Sequence, residues 1–235
     1  MLVTHMSSQD RHTSALNNAQ HPTDWPDFRL GITGTIAGGK STVCNLLKEK
    51  GLPIIDTDRL AREVVSPGTN ILQKLVDILG PEILLANGAA DRKIILEKIL
   101  ARPEDRKQVE DILHPAIFTR MSDWLCEQKS LGNEIVAVEV PLLFEKGWNR
   151  FFNLALAVLT PVSTALQRLQ KKRGLAQETA EQLLKLQMGN EQKAQLADYV
   201  IWNDGTEEEL KEKVDVFWRW LRQKTTGGQA DSFEL

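Results

Sequence analysis

The clearest chemical signal in this chain is a run of eight residues, 34–41, that reads Gly-Thr-Ile-Ala-Gly-Gly-Lys-Ser. It satisfies the pattern G-x-x-x-x-G-K-[S/T] of a loop that turns backbone N–H groups toward phosphate at the positive end of a helix. The pattern predicts that Lys40 reaches the β- and γ-phosphates of ATP and that Ser41 binds Mg²⁺. The residues expected to hold the nucleotide are Gly34, Thr35, Ile36, Ala37, Gly38, Gly39, Lys40, Ser41 and Thr42.

The residues on either side give this loop the context that its mechanism needs. Residues 28–33 can form a short buried strand, and residues 41–50 have helical spacing that ends at Gly51. A chance glycine-rich turn is the alternative, but it would not require a strand before the loop and a helix after it. The order of strand, loop and helix therefore favours a phosphate-binding loop.

A second chemical signal follows at the end of the next predicted strand. The apolar residues Ile54 and Ile55 precede Asp56 and Asp58, and ligands of parallel sheets bind at the carboxyl ends of the strands. A carboxylate there can accept a proton from an attacking hydroxyl or hold a Mg²⁺-bound water. The two share a face only if the strand continues through Asp58. Alternatively, one of them caps the next helix, a role that would suit Asp58.

Apolar runs alternate with helical patterns along the chain, which predicts an α/β fold with a five-stranded parallel sheet flanked by helices. The long helical stretch 57–131 is expected to be an inserted substrate-binding region. Strands are predicted at 29–33, 53–55, 135–138, 154–159 and 199–202, and helices at 70–79, 92–100 and 104–131. The boundary signals are an N-cap at Asp91, a break at His114-Pro115, a cap at Thr160 before Pro161, and a capping box opening at Thr206.

The composition permits an ordinary soluble enzyme. The 235 residues are 42% hydrophobic and 26% charged, which is enough to bury a core, and the net charge of −3 gives no pull toward nucleic acid or an anionic membrane. No apolar run reaches the length of a membrane span, and the N-terminus lacks the apolar core of a signal peptide. The expected location is therefore the cytoplasm, where Cys44 and Cys126 would remain thiols.

The two ends of the chain differ in character from its middle. The first 27 residues are polar and without periodicity, so we expect a disordered extension. A folded domain is expected over residues 28–223, followed by a flexible tail over residues 224–235.

Five sequence blocks, in family order, resemble the dephospho-CoA kinase family across about residues 29–220. The resemblance implies a P-loop kinase fold that transfers the ATP γ-phosphoryl group to the ribose 3′-hydroxyl of dephospho-CoA, the last step of coenzyme A synthesis. It also implies a small-molecule partner only, with a monomer or weak homo-oligomer expected. The blocks are residues 31–43, 55–68, 113–117, 140–145 and 197–205.

The resemblance assigns roles to individual residues. It makes Asp58 the catalytic base, with Lys40 acting on the phosphates, and it places Asn203 near the adenine, although the turn at 203–205 alone could explain that residue. Read without the resemblance, Arg62 is a solvated charge, His114 a capping or core residue, and residues 141–144 plain packing. The residues implied to contact the acceptor are Asp56, Arg62, His114, Pro141, Leu142, Phe144 and Glu145.

Residues 160–196 are expected to form a lid that brings cations over the phosphates and excludes water. Lys172 and Arg173 are the candidate catalytic cations, and a basic helix end favoured by the macrodipole is the alternative. The family usually has arginine at Lys172, and lysine lacks the planar fork that grips phosphate. The other departures are Thr35 and Ala37 in place of glycine, Glu139 in place of aspartate, Ala165 in place of glutamine and Leu183 in place of arginine.

Other functions remain to be weighed against this one. A nucleoside-monophosphate-type kinase would share the loop and the lid, and a non-catalytic nucleotide-binding protein would explain the altered lid. A GTPase is disfavoured because no Asn-Lys-x-Asp signature is present.

Overall fold

A computed structural model describes residues 24–225, without the side chains of Lys172 and Arg173. One parallel sheet runs through it in the strand order β2-β3-β1-β4-β5. This confirms the predicted α/β fold with a five-stranded parallel sheet, and every predicted strand is present within one residue at each end. The strands are β1 (Phe28–Gly34), β2 (Ile54–Asp56), β3 (Ile135–Glu139), β4 (Leu154–Leu159) and β5 (Tyr199–Trp202).

Helices connect the strands and cover the sheet, and short 3₁₀ turns lie at Pro81–Ile83 and Trp148–Phe151. None of the helices between residues 24 and 225 combines the length and the apolar character that crossing a bilayer would require. The helices are α1 (Lys40–Glu49), α2 (Thr57–Val64), α3 (Asn70–Leu79), α4 (Arg92–Ala101), α5 (Pro103–Ser130), α6 (Val162–Arg173), α7 (Gln177–Lys185), α8 (Asn190–Leu196) and α9 (Glu207–Thr225).

The sheet is buried because its strands are apolar on both faces. On β3, Val136 and Val138 pack against α2 and α5, whereas Ala137 between them faces α1 and α9. This alternation follows from the two-residue period of a strand. β1 is the central strand, so the loop that follows it emerges from the middle of the sheet.

Helix α5 is continuous through Pro115, so the predicted break at His114-Pro115 is wrong. A proline inside a helix costs about 3 kcal/mol because it removes one backbone bond and crowds the preceding turn. The turns that follow bury Ile117, Met121 and Leu125, each worth about 1.5–3 kcal/mol. Burial therefore outweighs the local cost, which the sequence pattern alone does not reveal.

Two of the three predicted helix caps are confirmed, and the third is wrong. The side chain of Asp91 accepts from the N–H groups of Lys93 and Ile94, and Thr206 exchanges hydrogen bonds with Glu209, so both predictions are confirmed. Thr160 is not a cap. Its hydroxyl donates to the carbonyl of Asn203 at 2.8 Å instead, and Pro161 takes the N-cap position.

Ordered structure begins before Phe28, the predicted start of the domain. Trp25 is 2% exposed, and its Nε1 donates to the hydroxyl of Ser122 on α5 at 3.2 Å. Its ring lies edge-on to Phe151 and beneath the guanidinium of Arg29. One large aromatic side chain anchors this segment although its sequence neighbours are polar. Residues 1–23 and 226–235, for which disorder is expected, lie outside the described range.

Candidate active site

The phosphate-binding loop joins the end of β1 to the start of α1, as predicted. Gly34 has φ 147° and Gly39 has φ 94°, in the positive range that side chains avoid. A Cβ atom at Gly34 would collide with the carbonyl of Val158, and one at Gly39 with the amide of Asn203. These glycines let the chain pass close to its neighbours. Because Gly39 caps α1 without a side chain, no capping group covers the helix N-terminus.

Lys40 is buried at the base of this loop. Its Nζ donates to the carbonyls of Thr35 at 3.1 Å and Gly34 at 3.4 Å. Burial lowers the pKa of the ammonium, and the nearby carboxylate of Glu139 offsets part of that effect. The loop's own carbonyls therefore hold the lysine in the position from which it can reach phosphate oxygens.

The two loop positions that depart from glycine behave differently. Ala37 has φ 57° and is the one non-glycine residue with a positive φ among residues 24–225. Thr35 is buried, donates its hydroxyl to Oδ1 of Asn190 at 2.7 Å, and accepts from the N–H of Thr160. Ala37 thus carries backbone strain, whereas Thr35 links the loop to α8.

The two candidate carboxylates diverge because β2 ends at Asp56 and α2 begins at Thr57. Asp56 caps the helix, accepting from the N–H of Asp58 at 2.8 Å. Capping, the alternative considered for Asp58, is thus the role of Asp56. Asp58 is exposed and lines the large cavity next to the loop. It lies where it can meet a hydroxyl that enters this cavity.

Glu139 is a site residue to which the sequence assigned no role. It ends β3, where it is in register with Ile32 of β1 and Asp56 of β2, and its side chain lines the same cavity. Burial raises the pKa of its carboxyl, and Lys40 opposes this effect. A carboxylate at the end of an apolar strand next to the loop strand is the sequence signal that could have identified it.

The residues around the loop fit a magnesium ion. The hydroxyl of Ser41 is exposed at the start of α1, and the carboxylates of Asp58 and Glu139 line the same cavity. Mg²⁺ takes hard oxygen ligands and is usually bound through one or two carboxylates together with substrate phosphates.

The cavity has a volume of about 970 Å³ and runs from the loop to the helices that precede β3. Asp58, His114, Pro141 and Leu142, four of the residues implied for catalysis or acceptor contact, lie in its wall. The other walls come from α4, α5, the segment after β5 and the two helices after β4. A volume of this size lies at the upper end of the range for small-molecule binding sites.

Other predicted acceptor residues lie outside this wall. Arg62 is half exposed, with its Nη2 3.7 Å from the carboxylate of Asp56. Phe144 packs in the core between the sheet and α5. Glu145 accepts from the N–H of Met188 at 2.8 Å. The sequence run 141–145 therefore divides, with its first two residues facing the cavity and its last two supporting the fold.

His114 occupies the cavity wall beside Trp148, with the two rings in an edge-on contact at 6.3 Å. Burial lowers the pKa of its imidazole, and the charge of Lys146 adds to the effect. The ring is therefore neutral at neutral pH, so it offers a hydrogen bond rather than a charge to an acceptor.

Lys193 of α8 is a second residue that the sequence did not single out. Its side chain is fully buried, its Nζ lies 3.1 Å from Oε1 of Glu145, and it donates to the carbonyl of Gly34 at 3.3 Å. Burial lowers the pKa of the ammonium, and Glu145 works against that shift. Lys193 connects the start of the loop to α8 and to the segment after β3.

Further contacts join the loop to the region predicted to be the lid. Oε1 of Gln187 accepts from the N–H of Ile36 at 2.9 Å, and a guanidinium nitrogen of Arg168 lies 3.4 Å from the carbonyl of Ala37. On the other side, the amide of Asn203 donates to the carbonyl of Gly38 at 2.8 Å. Asn203 thus supports the loop as well as lining the cavity.

Comparison with known proteins identifies the family. The family model described as CoaE, dephospho-CoA kinase, matches residues 28–209. A dephospho-CoA kinase of Thermosynechococcus vestitus is 39% identical, covering 86% of this chain and 98% of the relative. That of Corynebacterium glutamicum is 37% identical, covering 78% and 94%. The crystal structure of TT1252 from Thermus thermophilus has a TM-score of 0.68 at 32% identity, covering 83% and 98%. The chain belongs to the dephospho-CoA kinase family.

Proposed function

We propose that this protein transfers the γ-phosphoryl group of ATP to the ribose 3′-hydroxyl of dephospho-CoA and releases coenzyme A and ADP. The observation that carries the proposal is a single cavity that joins the phosphate loop to Asp58 and to an acceptor wall. The sequence offered two other candidates, a nucleoside-monophosphate-type kinase and a non-catalytic nucleotide-binding protein. Membership of the dephospho-CoA kinase family favours neither of them.

Asp58 is the proposed catalytic base. It is exposed to the cavity in the first turn of α2, and its neighbour Asp56 keeps that turn in place by capping it. As the acceptor hydroxyl attacks phosphorus, its proton passes to the Asp58 carboxylate. General-base catalysis of this kind contributes about 10²- to 10⁴-fold to the rate.

The loop and Lys40 are proposed to hold the transferred phosphoryl group. The uncapped N-terminus of α1 presents backbone N–H groups to the phosphates. Lys40 exchanges its contacts with the loop carbonyls for phosphate oxygens, which moves its charge toward the bond that breaks. Lys193 and Asn203 keep the loop in place through hydrogen bonds to the carbonyls of Gly34 and Gly38.

Ser41 and Glu139 are the residues proposed to hold Mg²⁺, which when bound would neutralise charge on the phosphate oxygens of ATP.

Lys172 and Arg173 are proposed as lid cations on sequence grounds, and Arg168 already contacts the loop from the same helix. Closure of this helix would exclude water that competes with the acceptor hydroxyl. We further propose a cytoplasmic protein that is a monomer or a weak homo-oligomer.

The acceptor is tested with a panel of substrates at fixed ATP. We expect ADP release to depend on dephospho-CoA and to remain near background with AMP, CMP or no acceptor. Rapid release with AMP or CMP would support the nucleoside-monophosphate kinase instead. Tight ATP binding without acceptor-dependent ADP release would support a non-catalytic protein.

A further inference from the structure

A cluster of three charged side chains lies on the cavity wall away from the phosphate loop. The carboxylate of Glu110 accepts from Nε of Arg106 at 3.0 Å and from Nζ of Lys146 at 2.6 Å. Arg106 and Glu110 lie one turn apart on α5, whereas Lys146 comes from the segment after β3. All three line the cavity.

The cluster is partly buried and carries a net positive charge. The side chains of Arg106, Glu110 and Lys146 are 29%, 26% and 25% exposed. Burial alone would raise the pKa of Glu110, but Lys146 and Arg106 outweigh it and hold that pKa below its ordinary value. The carboxylate is therefore ionised at neutral pH, and two cations share one anion. One positive charge remains without an opposite charge within the cluster.

The proposed phosphate donor does not use these cations. Among the described residues, Lys40, Arg106, Lys146 and Arg168 are the lysines and arginines that line the cavity. Lys40 and Arg168 contact the phosphate loop, so they belong to the donor. Arg106 lies eight residues before His114 on α5, and Lys146 lies in the segment after β3. A second anion, belonging to the acceptor, would account for them.

We infer that Arg106 and Lys146 form a binding subsite for the diphosphate of the acceptor, with Glu110 holding the two cations in position until the acceptor arrives. The inference rests on the proposed function, because dephospho-CoA carries a diphosphate on the same ribose whose 3′-hydroxyl is phosphorylated. An arginine fork can grip one phosphate with two bonds, and a lysine supplies a mobile charge for the other.

The arrangement of α5 suits such an acceptor. Residues four apart share one face of a helix, so Arg106, Glu110 and His114 follow one another over about 12 Å. A ribose beside His114 would place its 5′-diphosphate toward Arg106. Helix α4 adds an apolar wall to the cavity through Leu96, Ile99 and Leu100. Such a wall fits the pantetheine arm of the acceptor.

The test uses protein saturated with ADP and measures two dissociation constants, one for dephospho-CoA and one for adenosine, which lacks the diphosphate. We expect Arg106→Ala and Lys146→Ala each to weaken dephospho-CoA binding by about 10- to 100-fold, the range for a charged hydrogen bond. Adenosine binding should change less than threefold. Arg106→Lys, which keeps the charge, should recover part of the loss. ATP should bind the two alanine variants as tightly as it binds wild type. That result would show that the subsite holds the diphosphate of the acceptor and not the phosphates of ATP.

Two further variants separate recognition from structure. Arg102→Ala is the matched control, since this arginine is the N-cap residue just before the same helix, is 68% exposed and pairs with Asp105 outside the cavity wall. It should leave all affinities unchanged. Glu110→Gln keeps an acceptor oxygen but removes the competing charge, so dephospho-CoA should bind as tightly as to wild type, or more tightly. A loss with Glu110→Gln equal to that with Arg106→Ala would indicate a structural ion network and overturn the inference.

The outcomes also distinguish this inference from the proposed function. If wild type phosphorylates dephospho-CoA but Arg106→Ala and Lys146→Ala bind it normally, the subsite is wrong and the function stands. Equal losses for adenosine and dephospho-CoA would likewise assign the cluster a role in folding only. If wild type does not phosphorylate dephospho-CoA, the function itself fails, whatever the variants show.

Discussion

At the scale of single residues, the two carboxylates after β2 show how one helix start separates two roles. Asp56 is the last residue of the strand and caps α2, whereas Asp58 points into the cavity. We expect Asp58→Asn to lower kcat by about 10²- to 10⁴-fold, because the amide keeps the shape but cannot accept the proton. The dissociation constant of ATP should change by less than threefold. Steady-state kinetics and ATP titration of the purified variant measure both quantities.

Asp56 supplies the matched control for Asp58. Asparagine caps helices about as well as aspartate, so Asp56→Asn should affect both turnover and stability little. Asp56→Ala should lower the free energy of unfolding by about 0.5–2 kcal/mol through loss of the cap. If Asp56→Asn slowed turnover more than Asp58→Asn, the roles of the two residues would be exchanged.

Ala37 is the second informative residue, because it holds a positive φ of 57° in the phosphate loop. The left-handed conformation costs an L-residue about 1–2 kcal/mol, and glycine avoids this cost. We expect Ala37→Gly to raise the free energy of unfolding by up to about 1 kcal/mol, since glycine also gains freedom in the unfolded chain. ATP affinity should improve by less than tenfold, about 1.4 kcal/mol. Urea unfolding and ATP titration provide the measurements, and a loss of stability would show that the loop carries no strain at Ala37.

At the scale of elements, α8 and the segment after β3 meet at the loop through a buried ion pair. Lys193→Ala would leave the carboxylate of Glu145 without its cation, and Oε2 of Glu145 is already buried without a hydrogen-bond partner among residues 24–225. Removing one partner of a buried pair costs about 3–5 kcal/mol. We expect urea unfolding of Lys193→Ala to show a loss of that size, together with weaker ATP binding because the Gly34 carbonyl keeps only its hydrogen bond from Lys40.

A double variant separates the charge from the packing. Lys193→Met with Glu145→Gln removes both charges at similar volume and should recover a large part of the lost stability. If the single and double variants lost equal amounts, the pair would contribute through shape rather than charge. A loss below about 1 kcal/mol for Lys193→Ala alone would mean that water replaces the ammonium.

The elements differ in how well local sequence foretells them. The strands and the phosphate loop were predictable because alternation and glycine spacing are local properties. The continuity of α5 was not, since Pro115 is a local break signal whereas burial of Met121 and Leu125 depends on the distant sheet. Lys193 was not predictable either, because its ion-pair partner Glu145 lies 48 positions earlier in the sequence. From the local sequence alone, Lys193 would be interpreted as a solvated helix residue.

The candidate site was predictable to the same extent. Asp58 and His114 line the cavity, and each belongs to a sequence motif. The roles that the resemblance implies for them stay predictions. Phe144 packs in the core instead. Residues 141–147 form turns, and turns lack the fixed periodicity that would tell from sequence which side chains point inward. The wall formed by Arg106 and Lys146 needs two segments to be brought together, so no local pattern marks it.

At the scale of the whole molecule, Trp25 ties the chain before β1 to the helix that carries the acceptor wall. It is 2% exposed between α5 and Phe151. Trp25→Ala should therefore lower the free energy of unfolding by about 3–5 kcal/mol, as expected for a large core aromatic. Trp202→Ala is the matched control, because Trp202 is 40% exposed on β5 and should cost less than about 1 kcal/mol. Comparable urea unfolding curves for the two variants would show that Trp25 is not part of the core.

The loop, the base and the acceptor wall act as one site only if phosphate moves from donor to acceptor inside the cavity. The most direct measurement is ³¹P nuclear magnetic resonance of equimolar ATP and dephospho-CoA incubated with Mg²⁺ and the protein. Wild type is expected to produce ADP together with an equal amount of a new phosphomonoester resonance, the 3′-phosphate of coenzyme A. Lys40→Ala is expected to produce neither. ADP accompanied by inorganic phosphate, or a phosphomonoester formed equally well by Lys40→Ala, would contradict the account.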